Sequence, residues 1–195
     1  SDGLRDVADQ RLELFDTTDA QAQTTAALDG AMTVQASAYG DPYAYTPENR
    51  AAMAVDGDPA TAWRVPWQQL GETLHIDGAA PRQLHLLQAQ GPHLLRMITD
   101  IDISVDGAIQ HVVLGEASLS GAGQTVDIPR GDHVAITITA TAPRPGAPPT
   151  GQPWVGLAEI GVTAQEWVRP PSLVLAHAAA EQPLELVFTR DRTRP

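Results

Sequence analysis

The residues best suited to chemistry lie in Met53-Ala54-Val55-Asp56-Gly57-Asp58-Pro59-Ala60-Thr61-Ala62-Trp63. Two carboxylates stand one glycine apart, and a hydroxyl follows three residues after the second. Gly57 permits a tight bend and Pro59 stiffens the next step, so several oxygens can turn toward one point. Converging hard oxygens suit Ca²⁺, which takes about six to eight of them at ~2.3–2.6 Å. An EF-hand is excluded, because its run of alternating oxygens and its distal Glu are missing. The same residues also fit an acidic surface turn that caps a strand, and spacing alone leaves both readings open.

Signatures of other chemistries are missing. There is no Gly-x-Ser-x-Gly elbow, no His-Glu-x-x-His, no phosphate-cradling Gly-x-x-x-x-Gly-Lys and no dinucleotide fingerprint. Carboxylates are plentiful, but among 24 Asp and Glu most are a solvated face, so the segment is not expected to be an enzyme by itself. The 12 cations are all Arg, and the net charge is −12. That balance excludes nucleic acid as a partner, since phosphate binding needs a basic surface. With no Cys, disulfides, thiolate metal sites and thiol nucleophiles are excluded too.

The elements that must position the loop read as strands. The chain has 195 residues, 16 Gly and 16 Pro, ample for a core and punctuated by turns. Alternation over 33–38 and strand patterns at 72–76, 82–88, 99–105, 109–114, 125–128, 133–141, 157–162 and 184–189 follow one another with no long helical period between them. Antiparallel pairing is therefore favoured. Asp106-Gly107 marks a hairpin. Val134, Ile136 and Ile138 fall on one face, with Ala135, Thr137 and Thr139 on the other, which is the patterning of a sandwich sheet. Residues 142–153 are too rich in Pro for a central strand and read as a surface loop, while 1–12 and 172–180 each allow a short helix.

No run of 18 apolar residues occurs, and the opening Ser1-Asp2-Gly3-Leu4-Arg5-Asp6 has no basic stretch leading into an apolar one. A soluble segment without direct membrane insertion is expected. Its ends read as cuts in a longer chain.

Asp56 to Trp63, with Val34-Gln35-Ala36-Ser37 before it and Gly156-Leu157-Ala158-Glu159-Ile160 far downstream, resembles the coagulation-factor type C, or discoidin, domain. That group includes family 32 carbohydrate-binding modules. The resemblance implies an all-β, antiparallel jelly-roll β-sandwich of the galactose-binding-like class, eight-stranded, over residues 31–165, with 1–30 and 166–195 as helical or irregular terminal extensions. It also implies a structural Ca²⁺ held by the Met53 carbonyl, Asp56, Asp58, the Thr61 hydroxyl and carbonyl, the Ala158 carbonyl and Glu159. Trp63 is then expected in the core.

The flanks Ala36-Ser37-Ala38-Tyr39-Gly40-Asp41-Pro42, Tyr45-Thr46-Pro47-Glu48-Asn49-Arg50, Trp63-Arg64-Val65 and Val168-Arg169-Pro170-Pro171 resemble actinobacterial alpha-(1→3)-arabinofuranosyltransferases of arabinogalactan and lipoarabinomannan synthesis. Such a parent is a membrane glycosyltransferase whose discoidin-like modules lie on the extracytoplasmic side. This resemblance implies a noncatalytic module binding an arabinofuranose-containing cell-wall glycan, covalently continuous with a larger membrane protein. A structural or protein-docking module with a degenerate cleft is the alternative. Sugar sites combine an aromatic platform with hydrogen-bonding charged or amide groups, so the ligand-binding candidates are Tyr43, Tyr45, Arg64, Trp67 and His93, with Tyr39, Arg96 and Trp154 behind them. Arg64 could instead pair with Glu48 or Asp58, and Glu48 with Arg50.

Overall fold

A computed structural model describes residues 25–28, 32–40, 46–66, 69–78, 81–91, 94–148, 150–151, 153–169, 177 and 180–181. Eleven strands run through them: β1 (Thr25–Leu28), β2 (Thr33–Ala36), β3 (Trp63–Val65), β4 (Thr73–Asp77), β5 (Gln83–Gln88), β6 (Arg96–Val105), β7 (Ala108–Val113), β8 (Gln124–Asp127), β9 (His133–Pro143), β10 (Val155–Glu159) and β11 (Glu166–Arg169). One sheet has the order β3-β10-β5-β8 and the other β2-β4-β9-β6-β7, with antiparallel pairing throughout both. β1 and β11 make a separate two-stranded sheet. The architecture is the expected all-β sandwich, with sheets of four and five strands instead of eight strands in all. The described residues fall into two units, the larger spanning 27–167 and the smaller holding 25–26 and those from 168 onward.

Alternation explains the core. In β9, Val134, Ile136 and Ile138 are buried between more exposed neighbours, and they meet Leu84, Leu86, Val155 and Leu157 of the opposite sheet in one cluster. Apolar side chains on one face of each sheet leave water together, and that burial is the main force holding the layers. β6 breaks the two-residue rhythm: Ile98 and Ile101 both point inward although three residues apart. Its register against β9 shifts between Ile98 and Ile101, and this bulge inserts the extra residue that restores the facing. The Asp106-Gly107 turn closes β6 onto β7 with φ of 47° and 88°, the two positive values of a type I′ hairpin.

Two polar features lie within this frame. Gln88 is 2% exposed; its Nε2 donates to the Ile98 carbonyl (2.9 Å) and to Ser118 Oγ (2.8 Å), and its Oε1 accepts from the Ile98 N–H (2.7 Å). On the outer face of the five-stranded sheet, His133 Nδ1 lies 2.7 Å from Asp77 Oδ1, and His111 Nδ1 lies 2.8 Å from Asp102 Oδ1. Each pair joins residues directly opposite in the strand register.

The expected strand at 184–189 and the helix at 1–12 fall outside the described residues. Within the N-terminal extension, Thr25–Leu28 is strand and not helix. Of the 172–180 helix, the described residues His177 and Ala180 are helical.

Candidate functional site

The acidic loop joins the 3₁₀ turn Ala51–Ala54 to β3. Gly57 takes φ +74°, the bend that the sequence asks of it. Around the Thr61 hydroxyl the oxygens gather: Asp56 Oδ1 and Oδ2 at 2.9 and 2.8 Å, the Asp58 carbonyl at 2.8 Å and the Met53 carbonyl at 3.4 Å. The Asp58 side chain does a different job, its Oδ1 accepting the Ala60 N–H at 3.0 Å. The loop is thus held as an Asx-type turn in which Asp56 Oδ1 also accepts the Asp58 N–H at 3.0 Å.

β10 brings Glu159 to this loop. The Ile160 N–H donates to the Ala54 carbonyl (3.2 Å) and the Ala164 N–H to the Val55 carbonyl (2.7 Å), so the end of β10 is stitched to the segment preceding Asp56. Burial and the charges of Asp56 and Asp58 push the Glu159 carboxyl up from its ordinary 4.5 to about 7, opposed by a hydrogen bond from the Gly57 N–H. Its Oε1 is buried without a hydrogen-bond partner. Ala158, the preceding residue, is fully buried in β10. Among the described residues no three His, Asp or Glu side chains form a metal-holding group by themselves, so a cation here would draw on the carbonyl and hydroxyl oxygens as well. An orphaned carboxylate oxygen within the electrostatic reach of Asp56 and Asp58, with the hard oxygens of Met53, Asp58 and Thr61 gathered at Asp56, is chemistry that fits Ca²⁺.

The second feature lies on the outward face of the four-stranded sheet. Trp63 and Val65 turn into the core, with Trp63 fully buried and its Nε1 donating to the Ala38 carbonyl at 2.9 Å, so Arg64 between them turns outward. β10 passes close by because Gly156, opposite Arg64, has no side chain; a Cβ there would stand 1.8 Å from the Trp63 carbonyl oxygen. Arg64 Nη1 donates to Asn49 Oδ1 at 3.1 Å and Nη2 to the Gln90 carbonyl at 3.5 Å. Its guanidinium is pulled below the ordinary arginine value by burial, partly offset by Glu48. Next to it a satellite apolar cluster of Ala62, Leu87, Ala89, Leu94 and Ala158 is covered by the partly exposed Trp154.

Arg64 therefore bonds to the Asn49 amide and not to Glu48 or Asp58, and Arg50 pairs with Glu166 and not with Glu48. Arg96 is taken up by Thr141, through its side chain and carbonyl, within the five-stranded sheet. Tyr43, Tyr45, Trp67 and His93 lie outside the described residues. Sequence reasoning passed over Asn49, Gln90 and Arg144. Arg144 Nη1 donates to the Ala89 carbonyl at 3.1 Å and Nη2 to Gln90 Oε1 at 3.2 Å. Its position between two prolines hid it inside an apparent surface loop.

No protein-family model matches the chain, and no curated protein matches it. Solved structures do. A cryo-EM structure of arabinofuranosyltransferase AftD from Mycobacteria aligns with a TM-score of 0.54 at 19% identity over 87% of this chain, and its R1389S mutant in one class with 0.52 at 20%. The likeness is one of fold. The chain spans 14% of the length of that transferase. A family 32 carbohydrate-binding module from C. perfringens NanJ, solved with galactose, aligns over 70% of this chain and 93% of its own at 18% identity, with a TM-score of 0.44. Among the described residues no helix is long and apolar enough to cross a membrane.

Proposed function

We propose that this domain is a noncatalytic carbohydrate-binding module whose ligand is an arabinofuranose-containing cell-wall glycan, held on the extracytoplasmic side for the active site of a membrane-bound arabinofuranosyltransferase of which it is a part. The observation that carries this reading is Arg64. A half-buried guanidinium with unspent N–H donors, flanked by the Asn49 amide and by a cluster capped with the partly exposed Trp154, combines directional donors with an apolar plate. Sugars present both hydroxyl edges and C–H faces to such a surface. Tethering a weak glycan-binding module to a catalytic domain raises the local concentration of substrate without any new chemistry.

The same reading includes a structural Ca²⁺. Met53, Asp56, Asp58, Thr61, Ala158 and Glu159 would hold it, and its role is to neutralise three carboxylates and clip β10 to a loop about a hundred residues earlier in the chain.

Titration of the domain with arabinofuranosyl oligomers, followed by NMR shifts, tests the glycan reading. Millimolar-range binding that shifts the Trp154 indole resonance and is lost in Arg64→Ala is expected. A folded domain that binds no sugar at millimolar concentration favours a docking or spacer role and overturns the proposal.

A further inference from the structure

Two guanidinium groups meet at a single residue. Gln90 accepts from Arg64 Nη2 at its backbone carbonyl (3.5 Å) and from Arg144 Nη2 at its side-chain Oε1 (3.2 Å). Its Nε2 donates to the Gln88 carbonyl at 2.7 Å, which fixes the amide so that Oε1 is the atom offered to Arg144. Both arginines are partly buried. Every acceptor they use is neutral: an amide oxygen of Asn49, the carbonyls of Ala89 and Gln90, and the Gln90 side chain. Among the described residues neither guanidinium reaches a carboxylate, whereas Arg50 is paired with Glu166.

This arrangement is unusual for a chain carrying 24 acids and a net charge of −12. Neutral acceptors satisfy N–H groups without cancelling the charge; at Arg64 burial works against the cation and Glu48 offsets that in part, with no carboxylate bonded to the guanidinium. Hydroxyls of a neutral sugar would occupy the remaining donors and leave that cost in place. An oxyanion would remove it, and the flat fork of Arg is matched to carboxylate and phosphate oxygens.

We propose that Arg64 and Arg144, set by Gln90, form a subsite that selects glycans bearing an anionic group, carboxylate or phosphate, over neutral glycans of the same length. This rests on the carbohydrate-binding reading above and names the chemical class of the ligand. The Pro-rich loop thereby joins the binding surface through Arg144.

The test is calorimetric titration of the domain with four probes: a neutral galactose oligosaccharide, an oligogalacturonide of equal length, galactose 6-phosphate, and inorganic phosphate alone. The expected result is that one or both charged sugars bind about tenfold or more tighter than the neutral one, as charge-assisted hydrogen bonds replace neutral ones. The preference should shrink with added salt, and Arg144→Gln should cut it to about twofold, with melting curves reporting that the variant is folded. Should Arg144→Gln fail to fold, Arg144→Lys keeps the charge, loses the fork and is expected to retain only part of the preference. The uronide and phosphate arms distinguish the two sources of anion. Equal affinity for neutral and charged sugars, unchanged in the variants, overturns the inference and leaves the carbohydrate reading standing. Binding of inorganic phosphate as tight as that of the sugar phosphate also overturns it, since the subsite would then read an ion and not a glycan. Failure of every charged sugar to bind also overturns the inference, while the carbohydrate reading stands or falls separately with the arabinofuranosyl titration.

Discussion

Glu159 is the residue on which the metal reading turns. In the cation-free protein its carboxyl, raised from 4.5 to about 7, keeps a proton over that interval that the unfolded chain has already released. Stability contributed there falls as pH rises through the window. A cation requires the ionised form, so it competes with that proton. Adding Ca²⁺ at about a hundred times its dissociation constant should stabilise the fold by about 2.7 kcal/mol, raising Tm by roughly 5–10 °C. Scanning calorimetry with Ca²⁺ and with chelator should show the difference largest near pH 8 and smallest near pH 5. In Asp56→Ala or Glu159→Ala it should vanish. A wild-type melting curve indifferent to chelator at every pH contradicts the site.

At the scale of elements, β3 and β10 depend on the empty space at Gly156. Gly156→Ala would drive a methyl into the Trp63 carbonyl, 1.8 Å away, and separate the strands that carry Arg64 and Glu159. Overpacking of this kind costs about 1–3 kcal/mol, measurable by urea denaturation as a lower midpoint at constant slope. On the five-stranded sheet the His–Asp pairs set a pH signature of their own. Hydrogen bonds to Asp77 and Asp102 hold the His133 and His111 imidazoles above the ordinary histidine value, while His133 holds Asp77 below the usual carboxylate range. The histidine contribution is complete below the unfolded histidine value and is lost as pH rises through the higher folded one. Asp77 works at the other end, its contribution fading as pH falls through its lowered value. Tm of Glu159→Ala, which lacks the carboxyl discussed above, should therefore drop between pH 6 and 8, and His111→Ala with His133→Ala should flatten that drop.

For the molecule as a whole, most pairings are distant in sequence: β2 with β4, β3 with β10, and β4 with β9. Such a topology predicts refolding in roughly milliseconds to seconds by stopped-flow fluorescence of Trp63; folding within microseconds would contradict it. The same topology explains what could be read in the sequence. Alternation in β9 and the Asp-Gly hairpin are local signals, and they survive into the structure unchanged. β3 was illegible because three residues cannot display a period, and the start of β6 because its bulge breaks one. The acidic loop announced itself through Asp56, Gly57 and Thr61. Its junction with Glu159, and that of Arg64 with Gln90 and Arg144, are products of long-range pairing, which no window of residues records.

Hydrocarbon layers resist being pulled apart but are indifferent to sliding, because apolar contact has no direction. Gln88 supplies the direction. By taking both the N–H and the carbonyl of Ile98, this amide from one layer acts as a peg in the other and selects one lateral offset between them. Gln88→Leu should keep the layers associated yet let them settle at several offsets, seen as a chain that stays β-rich by circular dichroism while its amide resonances broaden.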